Sequence, residues 1–203
     1  MSDKKKKKLD FRYLLVEALL IVFTVSLALA LNEWRANVKA NEIRDKAHGN
    51  ILREIKSNKK DLENKLDYHN KSVMRISSYL ASDSLLNTVE GKPVTEVLMM
   101  LMPQGILQPE LQSGAWNSAV LSGVINSFDY EVLYTLSDLY QTQEDGPNST
   151  WKTMAAIFFE PDTFDSKNIK QLLFRMQLGF GELYSQEKSL LIDFDKAIKE
   201  MEE

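Results

Sequence analysis

Residue types that commonly carry out chemistry are absent or scarce in this chain of 203 residues. It has no cysteine, which excludes disulfides, thiolate nucleophiles and metal sites with cysteine ligands. Its only imidazoles are those of His48 and His69, so few catalytic arrangements are open to it. Eight glycines and five prolines are too few for a turn-rich β-sandwich or barrel. We therefore expect no enzymatic activity and no catalytic, cofactor-binding or metal-binding residues.

Charge is distributed unevenly along the chain, whose net charge is −4. Residues 1–31 carry six basic and three acidic side chains, and Lys4 to Lys8 form a dense basic cluster. The remainder therefore carries a net charge of −7. An acidic body is unsuited to nucleic-acid phosphates, so we expect no nucleic-acid partner.

An apolar run of 19 residues follows the basic cluster, from Tyr13 to Leu31. As a helix, a run of this length crosses about 30 Å of hydrocarbon. The denser positive charge precedes the run, which predicts a cytoplasmic tail (residues 1–12), a transmembrane helix (13–31) and an exported domain (32–203). The expected anchors at the two membrane boundaries are aromatic and basic residues, namely Tyr13, Trp34, Arg12 and Arg35.

Two other interpretations of the apolar run are open. Ala28-Leu29-Ala30 matches the cleavage site of a signal peptide, but the run is longer than the usual apolar region and Glu17 interrupts it. A buried helix of a soluble protein would not be apolar on every face over this length. We expect an uncleaved signal anchor that crosses the membrane once.

Glu17 is the only charged residue in the predicted span. On a helix it shares one face with Ile21, Thr24 and Ala28, and this narrow, more polar face is typical of contacts between membrane helices. Three roles for the carboxylate stay open. It can lie at headgroup depth near Arg12, contact a partner span, or carry protons in an ion-driven complex.

The rest of the chain predicts an all-α fold in which the transmembrane helix continues into a long amphipathic helix, to about residue 82. This segment has no proline and a single glycine, Gly49, where we expect a kink. Its apolar stripe is too narrow for a lone helix, and a second long helix at about 168–203 predicts an antiparallel partner. Between them we expect a loop at 82–92 and shorter helices at about 94–102, 110–126, 129–143 and 149–159.

We assign no chemical role to three short features of the exported part, namely His48, His69 and Ser122-Gly123. His48 and His69 lie outside the apolar stripe, and we expect both on the solvated surface. We interpret Ser122-Gly123 as a structural step, because glycine allows a helix to end or to cross another helix closely.

Several short motifs resemble those of a widespread family of small bacterial single-pass membrane proteins of unknown function. They are Asn32-Glu33-Trp34 after the span, the helix with Glu54, Ile55 and Asn58, the stretch Trp116–Ile125, and Leu136, Leu139 and Tyr140. The resemblance covers about residues 13–143, and the long lysine tail departs from it. It implies a location in the bacterial inner membrane, with a helical periplasmic body, and names no activity.

The function expected from these features is that of a non-enzymatic accessory or scaffold subunit. It would act through helix–helix contacts with a second copy or with a membrane-protein partner, in the lipid bilayer and without a cofactor. One alternative is an exported ligand-binding or sensor bundle. Another is a subunit of an ion-driven complex that uses Glu17.

Overall fold

The computed structural model describes residues 11–203, so all but the last two residues of the predicted cytoplasmic tail lie outside it. These residues contain no strand, and the predicted all-α fold is confirmed. The α-helices of the described residues are α1 (Phe11–Leu80), α2 (Asp83–Val89), α3 (Val94–Leu101), α4 (Gly114–Leu121), α5 (Tyr130–Gln143), α6 (Ser149–Ile157) and α7 (Ile169–Glu202).

The chain divides into two compact units, Met1–Lys46 and Ala47–Glu203. The described part of the first unit is helical, and all of its side chains are exposed except Arg44, which is half-buried. The second unit, which we call the body, contains the rest of α1 and all the other helices. Gly49, where we expected a kink, lies inside α1 and does not end it.

Within the body, α1 and α7 pack side by side and run in opposite directions. Lys59 of α1 donates to Asp195 near the end of α7, at 2.6 Å. Eighteen residues further along α1, Ser77 accepts a 2.7 Å hydrogen bond from Gln177, nearer the start of α7. Later residues of α1 thus contact earlier residues of α7, which confirms the predicted antiparallel pair.

The core of the body consists of two separate apolar clusters along this helix pair. The first joins the end of α1 to α2, α3, α6 and the first half of α7, and includes Ile76, Val97, Met154, Leu173 and Phe180. The second joins Ile51 and Ile55 of α1 to α4, α5 and the last turns of α7, including Leu136 and Phe194. Full burial of each such side chain contributes about 1.5–3 kcal/mol to folding.

The segment predicted as one helix at 110–126 is a shorter helix followed by a 3₁₀ turn. α4 ends at Leu121, Ser122 caps it, and the turn occupies Val124–Ser127. Between them Gly123 has φ +73°, a left-handed conformation that glycine adopts without steric cost. Gly123 therefore lies where α4 ends and the 3₁₀ turn begins, and the interpretation of Ser122-Gly123 as a structural step stays a prediction.

The prediction of a loop at 82–92 is wrong, because α2 lies inside it. The Ser82 side chain caps this helix by accepting a hydrogen bond from the backbone N–H of Leu85. Leu86 and Val89 are buried in the first apolar cluster. The segment is too short for a sequence periodicity, and burial of these two side chains fixes it as a helix.

The remaining connections differ from expectation by a few residues. Between the helices predicted at 129–143 and 149–159, a π-helical stretch, Glu144–Asn148, joins α5 to α6 with a non-helical backbone at Gly146. The predicted helices at 94–102, 129–143, 149–159 and 168–203 each begin or end one or two residues away from the observed boundary.

Gly179 of α7 allows α6 to approach closely. A Cβ atom at this position would lie 2.7 Å from Cγ of the buried Met154. We expect Gly179→Ala to lower the free energy of unfolding by about 1–3 kcal/mol, because Met154 must shift within a packed core. Chemical denaturation of the purified chain measures this change.

The matched control is Gly181→Ala, two residues further along α7. A Cβ there meets nothing within 4 Å, so alanine should raise stability by up to about 1 kcal/mol through its higher helix propensity. Equal effects of the two substitutions would contradict the close packing of α6 on α7.

Candidate functional site

The four residues predicted to form an interface face in the membrane span all lie on α1. Glu17, Ile21, Thr24 and Ala28 are spaced by three or four residues, so the helix aligns them in one stripe, and all four are exposed. The Thr24 hydroxyl donates to backbone carbonyls one turn back, including that of Ile21 at 3.2 Å. This bond satisfies a polar hydroxyl within the helix itself.

The predicted membrane anchors lie at the two ends of the apolar segment. Tyr13 is 81 % exposed and Trp34 is 64 % exposed, and each is next to an exposed arginine, Arg12 and Arg35 respectively. Their separation of 21 residues corresponds to about 32 Å along a helix. This distance matches the thickness of a bilayer's hydrocarbon core.

α1 contains the one segment of the described residues that is long and apolar enough to cross a membrane. Length and composition do not distinguish a membrane span from the core helix of a soluble protein or from a signal sequence. Burial does separate the first two, because a core helix is covered by its own protein. None of this segment's most apolar window is buried.

In the body, polar side chains of α1 hold a segment that has no regular structure of its own. This connecting segment (residues 102–113) joins α3 to α4 and is neither helix nor strand. The Tyr68 hydroxyl donates to the carbonyl of Gly105 at 2.7 Å and accepts from the N–H of Gln104 at 3.2 Å. Towards the other end of the segment, the Asp61 carboxylate accepts from the N–H of Glu110 at 2.6 Å.

Asn58 binds the same segment through both atoms of its amide. Its Oδ1 accepts from the N–H of Gln112 at 2.9 Å, and its Nδ2 donates to the carbonyl of Gln112 at 2.7 Å. The same Nδ2 also lies 3.1 Å from Oε1 of Gln143 on α5. Asn58 and Gln143 are both buried, so this arrangement satisfies polar groups that water does not reach.

Glu54 caps α4 from a different helix. Its carboxylate accepts from the backbone N–H groups of Ala115 at 2.7 Å and Trp116 at 3.2 Å, in the first turn of α4. A negative charge at this end of a helix is stabilised by the free N–H groups and by the helix dipole. The Tyr140 hydroxyl donates to the same carboxylate at 2.8 Å, and burial together with this neighbour raises the pKa of Tyr140.

His69 and Glu187 form a fully buried pair between the two apolar clusters. Nδ1 of His69 lies 2.8 Å from Oε2 of Glu187, and Nε2 lies 3.0 Å from the carbonyl oxygen of Leu107. A carbonyl can only accept, so Nε2 must carry a hydrogen. One further proton then lies between Nδ1 and Oε2, and the pair is neutral whichever atom holds it.

Burial dominates the protonation of Glu187. It raises the pKa of this carboxyl, and the effect is opposed by His69 and by the more distant Lys65. Oε1 of Glu187 has no hydrogen-bond partner among the described residues. A carboxylate with one buried, unpaired oxygen is costly to ionise, which favours the protonated form.

The Leu107 carbonyl comes from a residue with an unusual backbone. Leu107 has φ +26°, which is rare for a residue other than glycine and costs on the order of 1–3 kcal/mol. The hydrogen bond from His69 holds this carbonyl in place and offsets part of that cost. The buried pair therefore stabilises the strained part of the connecting segment.

The prediction that both histidines are solvated is wrong for His69. Its position did carry a signal, because it lies seven residues from both Leu62 and Ile76, which are buried on the same face of α1. Glu187 similarly lies between Leu183 and Leu190 at the spacing of the buried stripe of α7.

His48 also departs from the prediction, to a smaller degree. It is half-buried rather than solvated, and its ring centroid lies 5.9 Å from that of Phe128.

Within residues 11–203, no three or more histidine, aspartate or glutamate side chains come together as metal ligands would. Comparisons with family models, with curated proteins and with solved structures find no match for this chain. The resemblance to small single-pass bacterial membrane proteins therefore stays a prediction.

The raised pKa of Glu187 predicts how stability depends on pH. The folded protein keeps a proton on Glu187 that the unfolded chain releases at about pH 4.3. The stabilisation of the folded state by this group is therefore complete below that pH. The contribution is lost as pH rises through the folded-state pKa. We expect Glu187→Gln, which cannot ionise and can still donate to His69, to gain stability relative to the wild type as the pH rises above about 4.3.

Thermal unfolding of both proteins across this pH range measures the effect. Glu182→Gln, at an exposed position of the same helix, is the control and should keep the wild-type pH dependence. If Glu187→Gln and the wild type show parallel curves, Glu187 does not titrate in this way.

Proposed function

We propose that this chain is a single-pass protein of the bacterial inner membrane that acts as a non-enzymatic scaffold or accessory subunit. Its N-terminus would lie in the cytoplasm and its helical body on the other side. The observation that carries the proposal is the apolar segment of α1, none of which is buried by the protein. An apolar surface of this length is unfavourable in water and suits the interior of a bilayer.

The chemistry of the body supports a structural role. The buried polar side chains of α1 bind backbone groups of the same chain, as Glu54, Asn58 and His69 do. Enzymes instead keep such groups accessible to a substrate in a cleft. Here the polar groups hold the connecting segment and α4 in place.

The face of Glu17, Ile21, Thr24 and Ala28 supports contact with another membrane helix. Thr24 and Ala28 are small enough for two helices to approach closely, and Thr24 has already satisfied its hydroxyl. Glu17 offers a group that a basic or polar side chain of a partner could bind. We propose that the partner is a second copy or another membrane protein.

Single cysteines test the proposed orientation, because the chain has none of its own. In spheroplasts, we expect a membrane-impermeant maleimide to label Ser185→Cys, on the exposed surface of α7, and to spare Ser2→Cys. Both should react after the membrane is opened. The membrane-bound chain should keep its full mass of 23.3 kDa.

Two results would contradict this topology. Labelling of Ser2→Cys before the membrane is opened would reverse the orientation. A shortened, soluble chain without residue 2 would show that the apolar run is a cleaved signal peptide.

Cysteine cross-linking tests the proposed interface within the span. Ala28 lies on the Glu17 face, whereas Ala30 lies nearly opposite on the helix. We expect Ala28→Cys to be captured by a short bis-maleimide in native membranes and Ala30→Cys to be captured far less. The mass of the product identifies the partner, since twice 23.3 kDa indicates a second copy.

Equal capture at the two positions would show that this face has no special role. Capture at neither position would contradict a helix–helix contact in the span.

A further inference from the structure

A cavity of about 410 Å³ opens on the body between the first turn of α4 and the last turns of α5. Its volume lies within the range of about 300–1,000 Å³ that is typical of small-molecule sites. Every lining residue has an aromatic ring or a hydrogen-bonding side chain, and none is aliphatic; they include Trp116, Asn117, Ser137, Tyr140, Gln141 and Glu144.

Hydrogen bonds to α1 hold part of this lining in place. Tyr140 and Gln143 are both buried, and their inner polar atoms bind Glu54 and Asn58 of α1. The rings of Trp116 and Tyr140 stack with centroids 5.1 Å apart and an angle of 10° between their planes. The buried Tyr140 ring therefore backs the half-buried Trp116 ring and holds it rigidly before any ligand arrives, which lowers the entropic cost of binding.

The charges around the cavity favour a neutral ligand. The start of α4 would otherwise attract an anion, but the Glu54 carboxylate already accepts from its N–H groups. At the rim, Glu144 is bound by Lys152 at 2.6 Å and by Asn148 at 2.9 Å, and these contacts lower its pKa. Glu144 therefore stays a hydrogen-bond acceptor whose charge is balanced, and it does not demand a cation.

We propose that this cavity binds a saccharide. A sugar ring has apolar C–H groups that suit the Trp116 ring, which Tyr140 supports from within the body, and a rim of hydroxyls that both donate and accept. The exposed amides of Asn117 and Gln141 and the hydroxyl of Ser137 can pair with such groups in either sense. The inference depends on α4, α5 and their contacts with α1, and it does not depend on the proposed membrane span.

A peptide suits the cavity less well. A peptide that binds as an added strand needs the edge of a sheet, and residues 11–203 contain no strand. A helical peptide needs a groove of aliphatic side chains, and this lining has none.

Fluorescence of Trp116 in the full chain tests the proposal. Trp34→Phe and Trp151→Phe leave Trp116 as the only tryptophan. The chain is placed in nanodiscs free of glycolipid and of alkyl glycoside detergents, which would themselves compete. We expect a saturable change on titration with N-acetylglucosamine, glucose or maltose.

Substitutions locate the binding. Asn117→Ala and Gln141→Ala should each weaken it about ten-fold, as the loss of hydrogen bonds to the ligand implies. Thr153→Ala, an exposed position beside a different cleft between α6 and α7, should leave it unchanged. Unaltered thermal unfolding of each variant shows that the fold is intact.

Three outcomes would overturn the proposal. The first is no saturable response to any of the three sugars. The second is binding that neither Asn117→Ala nor Gln141→Ala weakens. The third is a response to uncharged trialanine amide in place of the sugars, which would assign the cavity to peptide.

Discussion

The hydrogen bonds from α1 side chains to the connecting segment are the interaction on which the rest of the body depends. The backbone of residues 102–113 has no helix or sheet to satisfy it, and part of it is buried against α1. A buried N–H or C=O without a partner costs free energy comparable to a lost hydrogen bond. Tyr68, Asp61 and Asn58 supply these partners at successive points of the segment, so one helix acts as a template for a segment that could not fold by itself.

The same bonds link the connecting segment to the helices that surround it. Glu54 joins the start of α4 to Tyr140 of α5, and Asn58 joins the segment to Gln143. Because Tyr140 and Gln143 also line the cavity between α4 and α5, the polar contacts that build the fold also shape the proposed saccharide site. Loss of one contact would therefore disturb both, which is the cooperative behaviour expected of a buried polar network.

α1 itself changes character along its length. From Tyr13 to Leu31 its side chains are mostly apolar on every face, Glu17 is the only charged one, and all of them are exposed. In the body its buried positions form a single stripe in which polar residues such as Asn58 and His69 alternate with isoleucine and leucine. The first pattern suits a surrounding that is apolar on every side, and the second suits one packed neighbour. This contrast is the physical basis for proposing a membrane span joined to a water-exposed body.

The sequence by itself determined the helical class, the antiparallel pairing of the two long helices and the apolar run, because each follows from residue periodicity within one segment. Only the tertiary structure decided the environment of His69, the role of Glu54 and the course of residues 102–113. His69 meets Glu187 across 118 residues of chain, and Glu54 meets Ala115 across 61. Such contacts depend on how separate segments pack, and no local pattern encodes the partner. The short α2 escaped prediction for the same reason, since burial of Leu86 and Val89 against distant residues stabilises it.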